Sequence, residues 1–246
     1  MLATCCRLPR ARLVRCYSTT APPIFELRTY NLIPQHAATY LEGSAVHGNL
    51  RKTHLPLLFF GTVETGGQLN TVQHLYKYPS LEARDDARKA AAADPNWQMW
   101  LKLSRTCVER TQSIIFNEAK AVLDANSLPG ADGHRTDSKG IYEFRQYQLR
   151  LGYPTVPNFL KFYGAGLPSK LAADKRAQLV TLLYSDLGPL NIVIEIWRHD
   201  SPSAMMDSRV ASREATEWKT AIGNIADLAH SFQNTILIPQ SFSPWQ

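Results

Sequence analysis

Ile24-Phe-Glu-Leu-Arg-Thr-Tyr-Asn-Leu32 returns 117 positions later as Ile141-Tyr-Glu-Phe-Arg-Gln-Tyr-Gln-Leu149, with Ile, Glu, Arg, Tyr and Leu in matching places. A second block, Gly67-Gln-Leu-Asn-Thr-Val72, aligns with Gly188-Pro-Leu-Asn-Ile-Val193 at an offset of 121. The same register pairs Tyr76 with Trp197, Arg88 with Arg209 and Trp97 with Trp218. A loop insertion absorbs the difference between the offsets. Two collinear matches mark a duplicated unit, so the fold of one copy decides the fold of the chain.

Each copy opens with a β-rich segment, Ile24–Leu32 or Ile141–Leu149. A helix follows, over Gln35–Lys52 or over Thr155–Asp174, the latter interrupted at Gly164-Ala-Gly166 and Pro168. Two hairpins come next: Leu57–Glu64 with Leu69–Tyr76, and Gln178–Asp186 with Leu190–Arg198. Glycine in each connection supplies the positive φ that short turns need. Helical stretches (Leu81–Ala93 and Trp97–Leu103; Ala204–Ser212 and Trp218–Leu228) lead to a closing strand, Thr106–Asn117 or Ser231–Pro239. The order β-α-β-β-α-β is ferredoxin-like. Such a sheet has helices on one face and must cover the other. The reading is therefore an α+β chain: tandem ferredoxin-like repeats packed sheet to sheet, a dimeric α/β barrel within one polypeptide. Residues 23–118 form the first repeat, 119–139 a linker rich in Pro, Gly, Asp and Ser, and 140–246 the second repeat.

Strand alternation sorts the side chains into two sets. Phe25, Leu27 and Thr29 share a face, as do Ile192, Ile194 and Ile196; the triple-Ile face is expected under the helices. The opposite faces carry Glu26, Arg28, Tyr30 and His74 in one copy and Glu143, Arg145, Tyr147, Glu195 and Trp197 in the other. These nine residues are expected to line a cavity between the sheets. There Arg28 and Arg145 would clamp a small polar or anionic ligand between Tyr30 and Tyr147. The same groups can instead form an ion-pair network fixing the register between halves.

No catalytic set, cofactor or metal site is assigned. His36, His47 and His54 would share one face of a continuous helix, roughly 16 and 10 Å apart, too far for one ion. His74 and Glu195 occupy equivalent strands, which makes an acid–base pair conceivable without placing them in contact. The glycines at 61, 66 and 67 precede no Lys-Ser/Thr and form no phosphate loop.

The net charge of +6 suggests nucleic acid, but its distribution does not. Arg7, Arg10, Arg12 and Arg15 precede the first acidic residue, Glu26; without them 23 basic face 21 acidic residues. The rest are interspersed, as in Glu82-Ala-Arg-Asp-Asp-Ala-Arg-Lys89, a solvated helix face and no nucleic-acid stripe. No run approaches the roughly 20 apolar residues of a membrane-spanning helix. Residues 1–22, cationic and acid-free, read as a mitochondrial transit peptide with a processing signature at Arg15-Cys16-Tyr17-Ser18, which directs the protein to the matrix. Cys5, Cys6 and Cys16 leave with it, and Cys107 remains as a buried thiol.

Phe25-Glu-Leu-Arg-Thr-Tyr30, Leu69-Asn-Thr-Val-Gln-His-Leu-Tyr-Lys-Tyr78, Trp97, Tyr142-Glu-Phe-Arg-Gln-Tyr147 and Glu195-Ile-Trp197 together resemble the NIPSNAP family over Ile24–Gln240, its shorter subgroup in length. The resemblance implies the dimeric α+β barrel fold, mitochondrial residence and no established catalytic activity. It implies an interaction or scaffold protein with protein partners, linked to vesicle trafficking or mitochondrial quality control. The wider superfamily also contains monooxygenases and haem-degrading enzymes. The alternative is therefore a binder of a haem-like or anionic small molecule, or a monooxygenase-like enzyme, using the inter-sheet cavity. A cavity filled by the chain's own side chains favours the first reading; an open one reached by Arg28, Arg145 or His74 favours the second.

Overall fold

The computed structural model describes residues 22–136 and 138–246; the segment read as a transit peptide, with its three cysteines, lies outside these apart from Pro22. The first repeat runs β1 (Ile24–Leu32), α1 (Ala37–Val46), α2 (Gly48–His54), β2 (Leu57–Thr65), β3 (Thr71–Tyr78), α3 (Leu81–Ala93), α4 (Pro95–Arg105) and β4 (Val108–Glu118). Two short helices, α5 (Lys120–Ala125) and α6 (Gly130–Gly133), occupy the connection. The second repeat follows as β5 (Ile141–Leu149), α7 (Thr155–Ala173), β6 (Gln178–Leu187), β7 (Ile192–His199), α8 (Pro202–Glu214), α9 (Thr216–Ala226) and β8 (Ala229–Pro239).

The strands close into one barrel in the order β1-β3-β2-β8-β5-β7-β6-β4. Each repeat supplies a contiguous half with its opening strand central, β1 between β3 and β4 and β5 between β7 and β8. The halves are stitched along two antiparallel seams, β2 to β8 from Gly61↔Pro239 to Thr65↔Ile236 and β4 to β6 from Ile115↔Leu187 to Glu118↔Leu183. Closure removes the edges that open sheets must protect.

The turn chemistry is also duplicated. Gly66 and Gly188 adopt φ of +82° and +109°, and a Cβ on Gly66 would lie 2.0 Å from the Asn234 carbonyl oxygen. Asn70 and Asn191 take left-handed φ of 56° and 57°, and their carbonyls accept from Leu32 and Leu149 N–H at 2.8 Å. The third strands therefore start later than alternation alone suggests. Ser80 and Ser201 cap α3 and α8 through the N–H groups of Ala83 and Ala204, and Asp94 caps α4.

The barrel interior corrects the expected facing. Phe25, Leu27, Phe59, Leu75, Phe116, Phe144, Ile192, Ile194, Ile196 and Leu237 form one buried cluster inside it. The triple-Ile face thus looks inward, and the Glu-x-Arg-x-Tyr face lies beneath the helices. This closed eight-stranded interior is occupied by apolar side chains, which offer charged groups no partners. The helix layer can supply cations, hydroxyls and indoles to meet them. Two further clusters lie there, one around Tyr40, Tyr76, Trp97 and Trp100, the other around Tyr147, Phe159, Tyr163, Trp197 and Trp218.

The helix expected over 35–52 breaks at His47, whereas α7 runs unbroken through Gly164, Gly166 and Pro168. Leu123 of α5 and Ala131 of α6 are buried, and Glu118 Oε1 accepts from Ala131 N–H at 2.9 Å and Thr181 Oγ1 at 2.7 Å. The connecting segment is thereby fastened to the barrel rather than free of it.

Candidate functional site

The nine candidate residues do not meet in one cavity. They divide between the two repeats, each of which holds one pocket between its own sheet and helices. Arg28 and Tyr30 line the first, Glu143 and Arg145 the second, and Glu26, His74, Tyr147, Glu195 and Trp197 are buried without lining either. In the first repeat Glu26 is fully buried, and its Oε1 accepts from Arg84 at 2.8 Å and Ser113 at 2.6 Å, with Arg88 at 3.8 Å. Burial opposes ionisation, yet those hydrogen bonds hold the carboxyl below its ordinary range. The Arg28 charge also lowers the pKa of that carboxyl, but from beyond ion-pair distance. The Arg28 guanidinium lies over the Tyr30 ring at 5.2 Å, and no carboxylate lies within ion-pair distance of it among the described residues.

Arg51 of α2 is buried between aromatic rings, 5.2 Å from the Phe60 centroid and 5.3 Å from that of Trp97. It donates to Tyr76 Oη at 2.7 Å, which leaves the tyrosine proton for His74 Nδ1 at 2.9 Å. His74 stacks on Phe60 and is held neutral, first by burial and then by Arg51 and Arg28. The Nε atoms of Arg28 and Arg51 and Nε2 of His74 are buried without hydrogen-bond partners. Arg28 and Arg51 line a cavity of about 610 Å³ walled by Tyr30, Tyr40, Tyr76, Trp97 and Trp100. Arg88, Lys89 and Arg105 add positive charge to its lining, and Asp85 is its one carboxylate among the described residues.

The second repeat builds the same pocket with a different balance. Glu143 accepts from Arg209 at 2.8 Å, Asn234 at 2.6 Å, His199 at 3.1 Å and Arg145 at 3.4 Å. Where the first repeat has His74, this one has Glu195, which accepts from Tyr147 at 2.6 Å, Tyr163 at 3.0 Å and the Trp197 indole at 2.6 Å. Arg145 Nε lies 3.5 Å from the same carboxylate, an ion-pair contact rather than a hydrogen bond. Lys170 of α7 occupies the place of Arg51, its Nζ 3.7 Å from the Trp197 centroid and 4.6 Å from that of Trp218. This cavity measures about 360 Å³.

Within each half the sequence grouping holds: Arg28 and Tyr30 stay together with His74, and Arg145 and Tyr147 with Glu195. Between halves it does not, since His74 and Glu195 share no partner. The ion-pair networks fasten α3 and α8 to their own sheets, not one half to the other. Arg51, Lys170, Arg84, Tyr163 and His199 were not singled out from sequence. Arg88/Arg209 and Trp97/Trp218 were visible as repeated pairs, but without a role. Of the three spaced histidines, His47 stacks on Trp100 and His54 pairs with Asp94 at 2.7 Å.

The sequence model of a family described as NIPSNAP matches residues 25–121 and again 142–244. The chain is 28% identical to Protein NipSnap homolog 3A of Homo sapiens over 224 residues, covering 89% of this chain and 85% of that protein. It is equally similar to Protein NipSnap homolog 3B of Mus musculus, 28% over 223 residues with the same coverage. A crystal structure from Lactobacillus acidophilus, provisionally described as a monooxygenase, superposes with a TM-score of 0.61 at 9% identity, covering 90% of this chain and 95% of that one. That likeness is one of fold.

Proposed function

The chain belongs to the NIPSNAP family, and from that premise we propose that it binds an amphipathic organic anion in the sheet–helix pocket of its first repeat. The observation that carries this reading is the exchange of His74 for Glu195 at equivalent positions of the two repeats. Glu195 answers Arg145 inside the protein. Neutral His74 leaves Arg28 and Arg51 with no carboxylate at ion-pair distance among the described residues, beside a cavity of about 610 Å³, within the size range of small-molecule sites. Arg28 is half-buried and Arg51 buried, each with a buried Nε that has no hydrogen-bond partner, and a bound carboxylate, sulfonate or phosphate would supply one. The aromatic walls suit an apolar body on that head group.

The test is titration of the full chain with 1-anilinonaphthalene-8-sulfonate, read by quenching of tryptophan emission from Trp97 and Trp100. Arg28→Ala is expected to weaken binding about tenfold, the loss of one charge-assisted contact, with the folded spectrum retained. Unchanged affinity in both Arg28→Ala and Arg88→Ala would overturn the reading.

A second reading, a mitochondrial matrix scaffold that binds protein partners, draws support from the barrel interior, where apolar side chains of both halves pack together. In that setting residues 1–22 act as the import signal. The processed protein should begin shortly after Arg15, and amino-terminal sequencing of protein recovered from mitochondria checks this; an intact Met1 would count against it.

A further inference from the structure

Lys170 stands apart from the anion site of the first repeat. It is 6% exposed, lines the second cavity, and its Nζ has neither a hydrogen-bond nor an ion-pair partner among the described residues. Glu195 on the adjoining strand already accepts from three donors. Arg145 and Arg209 both reach Glu143, and Arg145 Nε also lies 3.5 Å from Glu195, yet each guanidinium keeps a buried Nε without a hydrogen-bond partner at the same cavity. The Lys170 amine thus lies against two indole faces with two guanidiniums beside it at one cavity.

We propose that Lys170 is an amine nucleophile that forms an imine with carbonyl-bearing carboxylic acids of the 2-oxo acid class, their carboxylate held by Arg145 and Arg209. The nitrogen lone pair attacks the carbonyl carbon, the C=O π pair moves to oxygen, and a proton passes from nitrogen to that oxygen to give a carbinolamine. Loss of water, with the second N–H proton, yields the C=N bond; no oxidant or reductant is consumed. The step needs the neutral amine. Burial, seconded by Arg145 and Arg209 and opposed by Glu195 and Glu143, brings the Lys170 pKa down to about 7, so both protonation states are populated near neutrality. The charged and titratable groups around it are Glu195 and His199 on β7, Glu143 and Arg145 on β5, Arg209 and Arg213 on α8 and Lys219 on α9. A lowered pKa of this kind is one way in which a lysine amine is activated for imine formation.

The experiment treats the full chain with glyoxylate and sodium cyanoborohydride, followed by peptide mapping. A dominant adduct at Lys170 is expected, formed about tenfold faster than at exposed Lys89, with a rate that rises through pH 7. The methyl ester of the same acid, which offers no anion to the guanidiniums, should react about tenfold more slowly at Lys170. Labelling spread over surface lysines with Lys170 unmodified would overturn the site. Equal rates for acid and ester would overturn the assigned role of the guanidiniums. The wild-type protein carries both readouts, so neither depends on a variant folding.

Discussion

Glu143 accepts from four side chains while almost fully buried, and its ionisation is coupled to folding. Burial works against the charge, but the hydrogen bond from His199, Arg145, and Arg209 hold the carboxyl well below its ordinary 4.5. A depressed carboxyl stabilises the fold fully above the unfolded value, and that stability drains as pH falls below about 4.5. Glu143→Gln should therefore cost about 3 kcal/mol at pH 7, and urea unfolding at descending pH should show the gap to wild type closing below 4.5. His134, buried beside Tyr142, has its pKa brought down to about 4 by burial, Arg198 and Arg135. Its neutral form stabilises above 6.5, and this is lost as pH falls toward 4, so both proteins should weaken further below 6.5, beyond the loss that the lowered Lys170 has completed by about pH 7; a flat profile from 6.5 down to pH 5 would contradict this. At this scale the sequence separated the two faces of each strand correctly but turned them the wrong way. Alternation says which residues travel together. It does not say which set meets helices when both faces are buried. Arg88 and Arg209, repeated on the second-half helices, were the usable signal, because their charge needs a partner on the sheet.

At the scale of elements, two glycines of similar helical setting should respond in opposite directions. A Cβ on Gly166 would sit 2.5 Å from the Ala221 Cβ and 3.1 Å from the Glu217 carbonyl oxygen, where α7 and α9 touch. Gly223 in α9 has nothing within 4 Å of its added Cβ. Gly166→Ala should lower stability by about 2 kcal/mol through overpacking. Gly223→Ala should raise it by up to about 1 kcal/mol, the usual helix-interior gain over glycine. Chemical denaturation of the pair checks both signs, and a stabilised Gly166→Ala would mean that α7 shifts freely on α9. The same contact explains why the expected interruption of α7 is absent. Gly164, Gly166 and Pro168 carry a poor local helix propensity, but Phe159, Tyr163 and Leu167 are fully buried beneath α7 and hold it straight. Strand and helix order was legible because periodicity and caps repeat twice. Boundaries slipped where the left-handed Asn70 and Asn191 lengthened both hairpin loops.

At the scale of the molecule, duplication is what made the architecture legible: one half-barrel read twice leaves a single way to cover both inner faces. The connecting segment was less so, since α5 and α6 owe their order to burial against the barrel rather than to their own composition. The halves meet through two strand seams and one shared apolar core. Separated, residues 22–118 and 119–246 would each expose two strand edges and an inner face of Phe, Leu and Ile side chains. Each such side chain is worth roughly 1.5–3 kcal/mol on burial, so losing several exceeds the roughly 5–15 kcal/mol by which a domain is stable. Neither half should persist as a folded monomer: alone, each should aggregate or pair with itself along the freed edges. Mixed during refolding, they should recover a one-to-one complex with the circular dichroism of the intact chain, as analytical ultracentrifugation would show. A half that stays monomeric and unfolds cooperatively would mean that the inner face does not hold the repeats together. The pockets, each enclosed by one repeat's own helices, would then have to be treated as belonging to independent domains.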